Sequence, residues 1–123
     1  MIKLVYCVRK RADMSPEAFH KYWLEQHGNL VRRFAKTLRV KKYIQSHTIE
    51  PEINKALMKS RGLAVPYDGI TEMWWNNIES LNEASASLAN QEAYSTLIND
   101  EAKFIDFSQS RIFLTEEHVI FDL

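Results

Sequence analysis

An imidazole titrates near neutral pH and can take a proton from, or return one to, a small molecule. The first candidate for chemistry in this chain is therefore the histidine that ends the segment Ser15-Pro16-Glu17-Ala18-Phe19-His20-Lys21-Tyr22-Trp23-Leu24-Glu25-Gln26-His27-Gly28. At about 100° per residue His27 falls with Phe19, Trp23 and Leu30 on one helical face, apart from Lys21 and Glu25. Two readings of it stand open: a proton shuttle at the edge of a cavity, or a structural side chain satisfied within the core. Tyr43 is the second candidate. The two-residue period of a strand sets it beside Lys41, Gln45 and His47, a polar and aromatic set that suits either a cavity lining or a solvated edge strand. Further on, Met73 and Trp75 share a strand face with Gly69 and Thr71, and their side chains shape an apolar pocket or fill a core rather than move protons. Glu72 points the other way among apolar neighbours, so it is either ion-paired, with Arg111 or Lys3, or a second acid–base group. Tyr6 lies in an apolar run as a further ligand-contact candidate. Its neighbour Cys7 reads as an inert, protonated thiol. His20, Tyr22 and His118 carry weaker signals.

Other chemistries find little footing. The four histidines, at 20, 27, 47 and 118, make no HxH or HExxH spacing, and two helical turns put His20 about 10.5 Å from His27, too far for one ion. There is no glycine-rich phosphate loop, dinucleotide fingerprint or Ser-His-Asp elbow, so no metal and no cofactor is expected. Sixteen basic and sixteen acidic side chains cancel; Arg9-Lys10-Arg11 and Arg32-Arg33 are only local clusters, which argues against a nucleic-acid partner. One cysteine, no apolar run near 18 residues and no signal-peptide pattern together predict a cytoplasmic chain with no membrane segment.

Elements must hold these residues in place. A length of 123 residues with 46% hydrophobic side chains predicts one domain, 1–123. Ile2 to Val8 reads as a first strand. Ser15 is a natural N-cap, Pro16 suits the first helical position and Glu17 the positive end of the dipole. Gly28 predicts that this helix ends or bends just after His27, with Leu30, Val31, Phe34 and Leu38 on a second helical piece. Val40 to Ile49 reads as strand two, and 50–66 as an insertion or flap with a short helix. Ile70 to Trp75 is a third strand. Ser80 with Glu83 matches a capping box for a helix bearing Leu81, Ala84 and Leu88. Tyr94, Leu97, Ile98, Glu101 and Ile105 then follow the 3.6 period, with Asn90 as the candidate cap and Phe104 and Phe107 closing the packing. Arg111 to Thr115 makes a last strand. This order is that of an α+β, ferredoxin-like split βαβ: a four-stranded antiparallel sheet with helices on one face. Its open aromatic face needs cover, most simply from an identical chain.

The helix segment with its Tyr22-Trp23 and His27-Gly28 pairs, the strand Tyr67-Asp68-Gly69-Ile70-Thr71-Glu72-Met73-Trp74-Trp75 and the late Phe113-Leu114-Thr115-Glu116-Glu117-His118-Val119 resemble the EthD family of dimeric α/β-barrel proteins. The resemblance implies a homodimer in which two sheets form a barrel, and a helix-end histidine at the mouth of a cavity, here His27. Muconolactone methylisomerase-like relatives line that cavity with a tyrosine where Tyr43 stands. They place a cysteine at the position of Met73, so a mechanism through that thiol does not carry over.

Joined to the residues, the resemblance predicts a small cofactor-independent enzyme, an isomerase, dehydratase or lyase. It would act on a hydrophobic lactone, phenolic or polyketide-like molecule, with His27 and Tyr43 catalytic and Tyr6, Trp23, His47, Met73 and Trp75 around the substrate. A non-catalytic small-molecule binding protein is the alternative, and the resemblance keeps an oxidoreductase or monooxygenase-accessory role in view. A purely structural dimerisation domain would have no cavity at all.

Overall fold

The apolar N-terminal run forms β1 (Ile2–Val8), which lies in the middle of the sheet between β3 (Gly69–Trp75) and β4 (Arg111–Glu116); β2 (Lys42–His47) adds to the far side of β3. All pairings are antiparallel, and the order is β2-β3-β1-β4. These are features of a computed structural model that describes residues 1–123. The register aligns Tyr43, Met73 and Leu4 across three strands, and Gln45, Thr71 and Tyr6 beside them. With side chains alternating across the pleat, these six share one face. Helices cover that face. The other carries Ile44, Ile70, Glu72, Trp74 and Phe113.

The N-terminal helix starts as its sequence dictates: the Ser15 side chain accepts from the Ala18 amide and Pro16 leads α1 (Pro16–Lys21). It does not end at His27. The chain runs through a π-helical stretch, Tyr22–His27, straight into α2 (Gly28–Phe34), and Gly28 is right-handed at φ −57°. The expected break is thus a widened turn in which the Gly28 amide donates to the Trp23 carbonyl five residues back. Glycine is needed here for room, because a Cβ at residue 28 would stand 3.3 Å from Gln45 Nε2. Strand two is shorter than its propensities suggested: Lys41 precedes it and is exposed, and Arg39 turns the chain with a positive φ of 57°.

The 50–66 stretch contains α3 (Glu52–Arg61), stopped by Gly62 in the left-handed region and burying none of its residues. Two capping expectations are corrected. Asn77, not Ser80, caps α4 (Ile78–Ser85) by accepting from the Ser80 amide, and Ser87, not Asn90, caps α5 (Leu88–Glu101) by accepting from the Asn90 amide. Asn and Ser at these sites satisfy first-turn donors equally well, and the true caps lie three residues earlier. Phe107 is 47% exposed, so Phe104 closes the packing alone.

Two apolar clusters hold the helices to the sheet. One joins Val8, Phe19, Trp23, Phe104 and Ile105; the other joins Val31, Leu38, Ala93 and Leu97. Gly69 is a close-packing site, since a Cβ there would meet the Trp23 ring at 2.4 Å and the Ser46 carbonyl at 2.7 Å. No helix is long and apolar enough to cross a membrane.

Candidate active site

Between the two clusters the packing leaves a cavity of about 180 Å³, lined by 16 residues of which 13 are hydrophobic. The other three, His27, Thr71 and Glu101, mark where chemistry is available. Of the residues singled out from the sequence, Tyr6, Trp23, His27, Tyr43, Met73 and Trp75 all line this space. It lies within one chain, between sheet and helices, and not between two facing sheets. His47 is a correction: its ring stacks on Trp23 at 4.2 Å, outside the cavity, and bonds Gln45 and His20 instead. Glu72 pairs with Lys3 at 2.8 Å on the opposite face of the sheet, which removes it from the site.

His27 is buried because it follows Trp23 by one turn on the apolar face. Its Nδ1 lies 2.8 Å from Asp100 Oδ2, and Asp100 Oδ1 accepts from the Tyr22 hydroxyl at 2.5 Å. Burial pushes the Asp100 carboxyl up, but the bonds from Tyr22 and His27 outweigh it and hold the group below its usual range. An ionised carboxylate can only accept, so Nδ1 carries the proton toward it and Nε2 keeps the lone pair. Burial lowers the imidazole's pKa below 6.5 despite the opposing pull of Asp100. His27 is thus a neutral base at pH 7, oriented by a carboxylate.

Glu101, one residue after Asp100, turns into the cavity, where burial raises its pKa from 4.5 to about 7, with the Asp100 charge adding and Tyr6 opposing. Tyr6 is itself raised, first by burial and then by Glu101. A carboxyl poised near neutrality is a proton donor as well as an acceptor. Sequence reasoning placed Glu101 on the inward helical face yet gave it no role. A carboxylate among Leu97, Ile98 and Ile105 at helical spacing was the available signal. Asp100 had none, being one position off that face.

The third polar wall runs along β2. Burial raises the Tyr43 hydroxyl, while Gln45, Thr71 and Trp23, each placed to hydrogen-bond its oxygen, hold it down. Gln45 Nε2 donates to Tyr43 Oη and to the Trp23 carbonyl, both at 2.8 Å.

An antiparallel four-stranded sheet with helices on one face, enclosing an apolar site in each chain, defines a ferredoxin-like α+β protein. Comparison with known proteins carries this further. The EthD domain model matches residues 11–108, and the chain belongs to the EthD family. Similar solved structures include an EthD (ethyl tert-butyl ether d) family protein from Bacillus halodurans C-125, 17% identical with TM-score 0.63, covering 96% of this chain and 99% of that one. A dimeric ferredoxin-like protein of unknown function from Bacteroides fragilis is 8% identical with TM-score 0.61, over 94% and 95% of the two chains. An antibiotic biosynthesis monooxygenase is 13% identical with TM-score 0.55, over 97% and 100%. At such identities these likenesses speak for the fold alone. No curated protein sequence matches the chain.

Proposed function

We propose that this protein is a cofactor-independent acid–base enzyme that moves a proton within a small, largely apolar carbonyl compound, as an isomerase, dehydratase or lyase does. The observation that carries it is the largely apolar pocket on which an Asp100-oriented His27, Tyr43 and a near-neutral Glu101 converge. A pocket of 180 Å³ lined by thirteen apolar side chains forgoes the contacts those side chains would make in a filled core. A purely structural dimerisation module has no use for it. The volume exceeds the ~150 Å³ that holds benzene in an engineered cavity and falls short of the ~300 Å³ at which drug-sized sites begin. One- or two-ring lactones and phenolics fit this volume.

His27 Nε2 takes a proton from the carbon next to the carbonyl, and the C–H electron pair passes into that carbon–carbon bond as the carbonyl π pair moves to oxygen. Tyr43 donates a hydrogen bond to this oxygen. Protonated Glu101 then returns a proton at another position of the conjugated system, which for a lactone shifts its double bond, and the site resets as His27 releases its proton to water and Glu101 takes one back. Trp23, Met73 and Trp75 exclude water. The protein acts as a homodimer, as the Bacteroides fragilis protein is dimeric; here the open sheet faces are the ones that meet, and 1–123 is a single domain with 50–66 as a surface flap.

The test is proton–deuterium exchange at the acidic carbon of 2-coumaranone, an enolisable two-ring lactone, followed by NMR in deuterium oxide. Exchange accelerated by the protein and reduced about 10²- to 10⁴-fold in His27→Gln is the expected result. The competing reading is a non-catalytic binding protein, favoured by the scarcity of polar groups in the lining; it predicts binding without exchange. An oxidoreductase or monooxygenase-accessory role draws on the family resemblance and on structural neighbours at 11% and 13% identity described as monooxygenases.

A further inference from the structure

Gln45 lies outside the cavity lining, yet its amide decides what the cavity wall offers a ligand. The Trp23 carbonyl can only accept, and it stands 2.8 Å from one terminal atom of the Gln45 side chain, which must therefore be the nitrogen. That carbonyl is reachable because the π-helical turn moves the Gly28 amide into the bond a tighter helix would make one residue earlier. Gly28 leaves the space, having no Cβ to crowd Gln45 Nε2. With the amide fixed, its second N–H points at Tyr43 Oη, also at 2.8 Å, and its oxygen faces His47 Nε2 at 2.7 Å. His47 must then be protonated on Nε2, and its bare Nδ1 accepts from His20 Nδ1 at 2.9 Å. Each donor along β2 points the same way.

At the cavity end, Tyr43 Oη spends acceptor capacity on Gln45, so its own proton is turned outward. We infer that Gln45 is a positioning residue which, locked by the Trp23 carbonyl of the π turn, makes the Tyr43 wall a one-way hydrogen-bond donor and so selects ligands that present a bare oxygen acceptor there. This rests on the cavity being a ligand site, and it narrows the ligand to a ketone, lactone or enolate oxygen in place of a hydroxyl or amine.

Two measurements test it. Nitrogen-15 NMR of the ligand-free protein at pH 8 reads the His47 tautomer, expected as Nε2–H; an Nδ1–H tautomer would mean a reversed Gln45 amide and overturn the inference. Calorimetric titration with 2-coumaranone and with indane, its oxygen-free ring analogue, then reads selectivity. In the native protein 2-coumaranone is expected to bind about tenfold tighter than indane, the worth of one hydrogen bond. Gln45→Leu and Tyr43→Phe, the latter keeping the ring in place, are expected to abolish the difference while indane affinity stays within about twofold. A preference retained in Gln45→Leu, whatever Tyr43→Phe does, overturns the role of Gln45 although the cavity binds. Binding of neither probe to the native protein overturns the cavity reading itself, and this one with it.

Discussion

Asp100 and Glu101 are adjacent carboxylates with opposite fates, and the cause lies in what faces them. Asp100 receives hydrogen bonds from Tyr22 and His27 and stays ionised; Glu101 meets chiefly apolar side chains and is pushed up to about 7. A carboxyl whose pKa is higher folded than unfolded binds its proton more readily in the folded state, so its contribution falls as pH rises from about 4.5 through 7. Glu101→Gln is therefore expected to stabilise the protein at pH 8, by on the order of 2–3 kcal/mol, and to change it little at pH 4.5, as read from urea unfolding at both pH values. His27 has the opposite sign: lowered in the fold, it favours folding above pH 6.5 and loses that contribution as pH drops through its depressed value. Exchange at a single carbon needs only neutral His27, so its rate is expected to rise with pH through the depressed His27 value and then level off, as read from the pH–rate profile. Glu101→Gln is expected to leave that profile in place while abolishing any double-bond shift, which needs a proton delivered at a second position. Residue identity made His27 and Tyr43 legible as candidates, since both sit on faces whose periods are easily read. Asp100 was hidden because its importance arises from tertiary contact with a helix 73 positions away in sequence.

At the scale of elements, strands and helices followed from pattern, while their ends followed from local chemistry that several residues could satisfy. Asn77 and Ser87 cap where Ser80 and Asn90 carry equally suitable side chains, and pattern alone does not rank them. The π turn is of another kind: the residues of Tyr22–His27 carry no pattern that marks it, and it is visible only in the Gly28 amide donating to the Trp23 carbonyl, which also accepts from Gln45 of β2. The glycines of this region carry distinct constraints. Gly69→Ala places a methyl inside the Trp23 ring position, and by the usual cost of overpacking it is expected to lose about 1–3 kcal/mol in a urea titration. Gly28→Ala crowds a side chain end rather than backbone, so it is expected to keep the fold while weakening 2-coumaranone binding through a displaced Gln45.

The whole molecule has two faces with separate tasks. The helix-covered face encloses the cavity, and the bare face displays Ile44, Ile70 and Phe113 at 36%, 38% and 49% exposure, with Lys3 and Lys42 set over the Trp74 ring. Such a surface gains most by meeting its like about a two-fold axis. Ile44→Asp combined with Phe113→Asp is expected to turn a dimer into a monomer in analytical ultracentrifugation, leaving the cavity residues untouched. The antiparallel sheet and its helical cover were legible from the order of elements; the site's location inside each chain was not, because alternation shows that a strand has two faces without saying which one the helices take. The most direct measurement is a crystal structure of the protein soaked with 2-coumaranone. The lactone is expected inside the cavity, its carbonyl oxygen within hydrogen-bond reach of Tyr43 and its acidic carbon about 3–3.5 Å from His27 Nε2. A cavity closed by side chains, or a lactone bound only on the outer surface, would contradict that expectation.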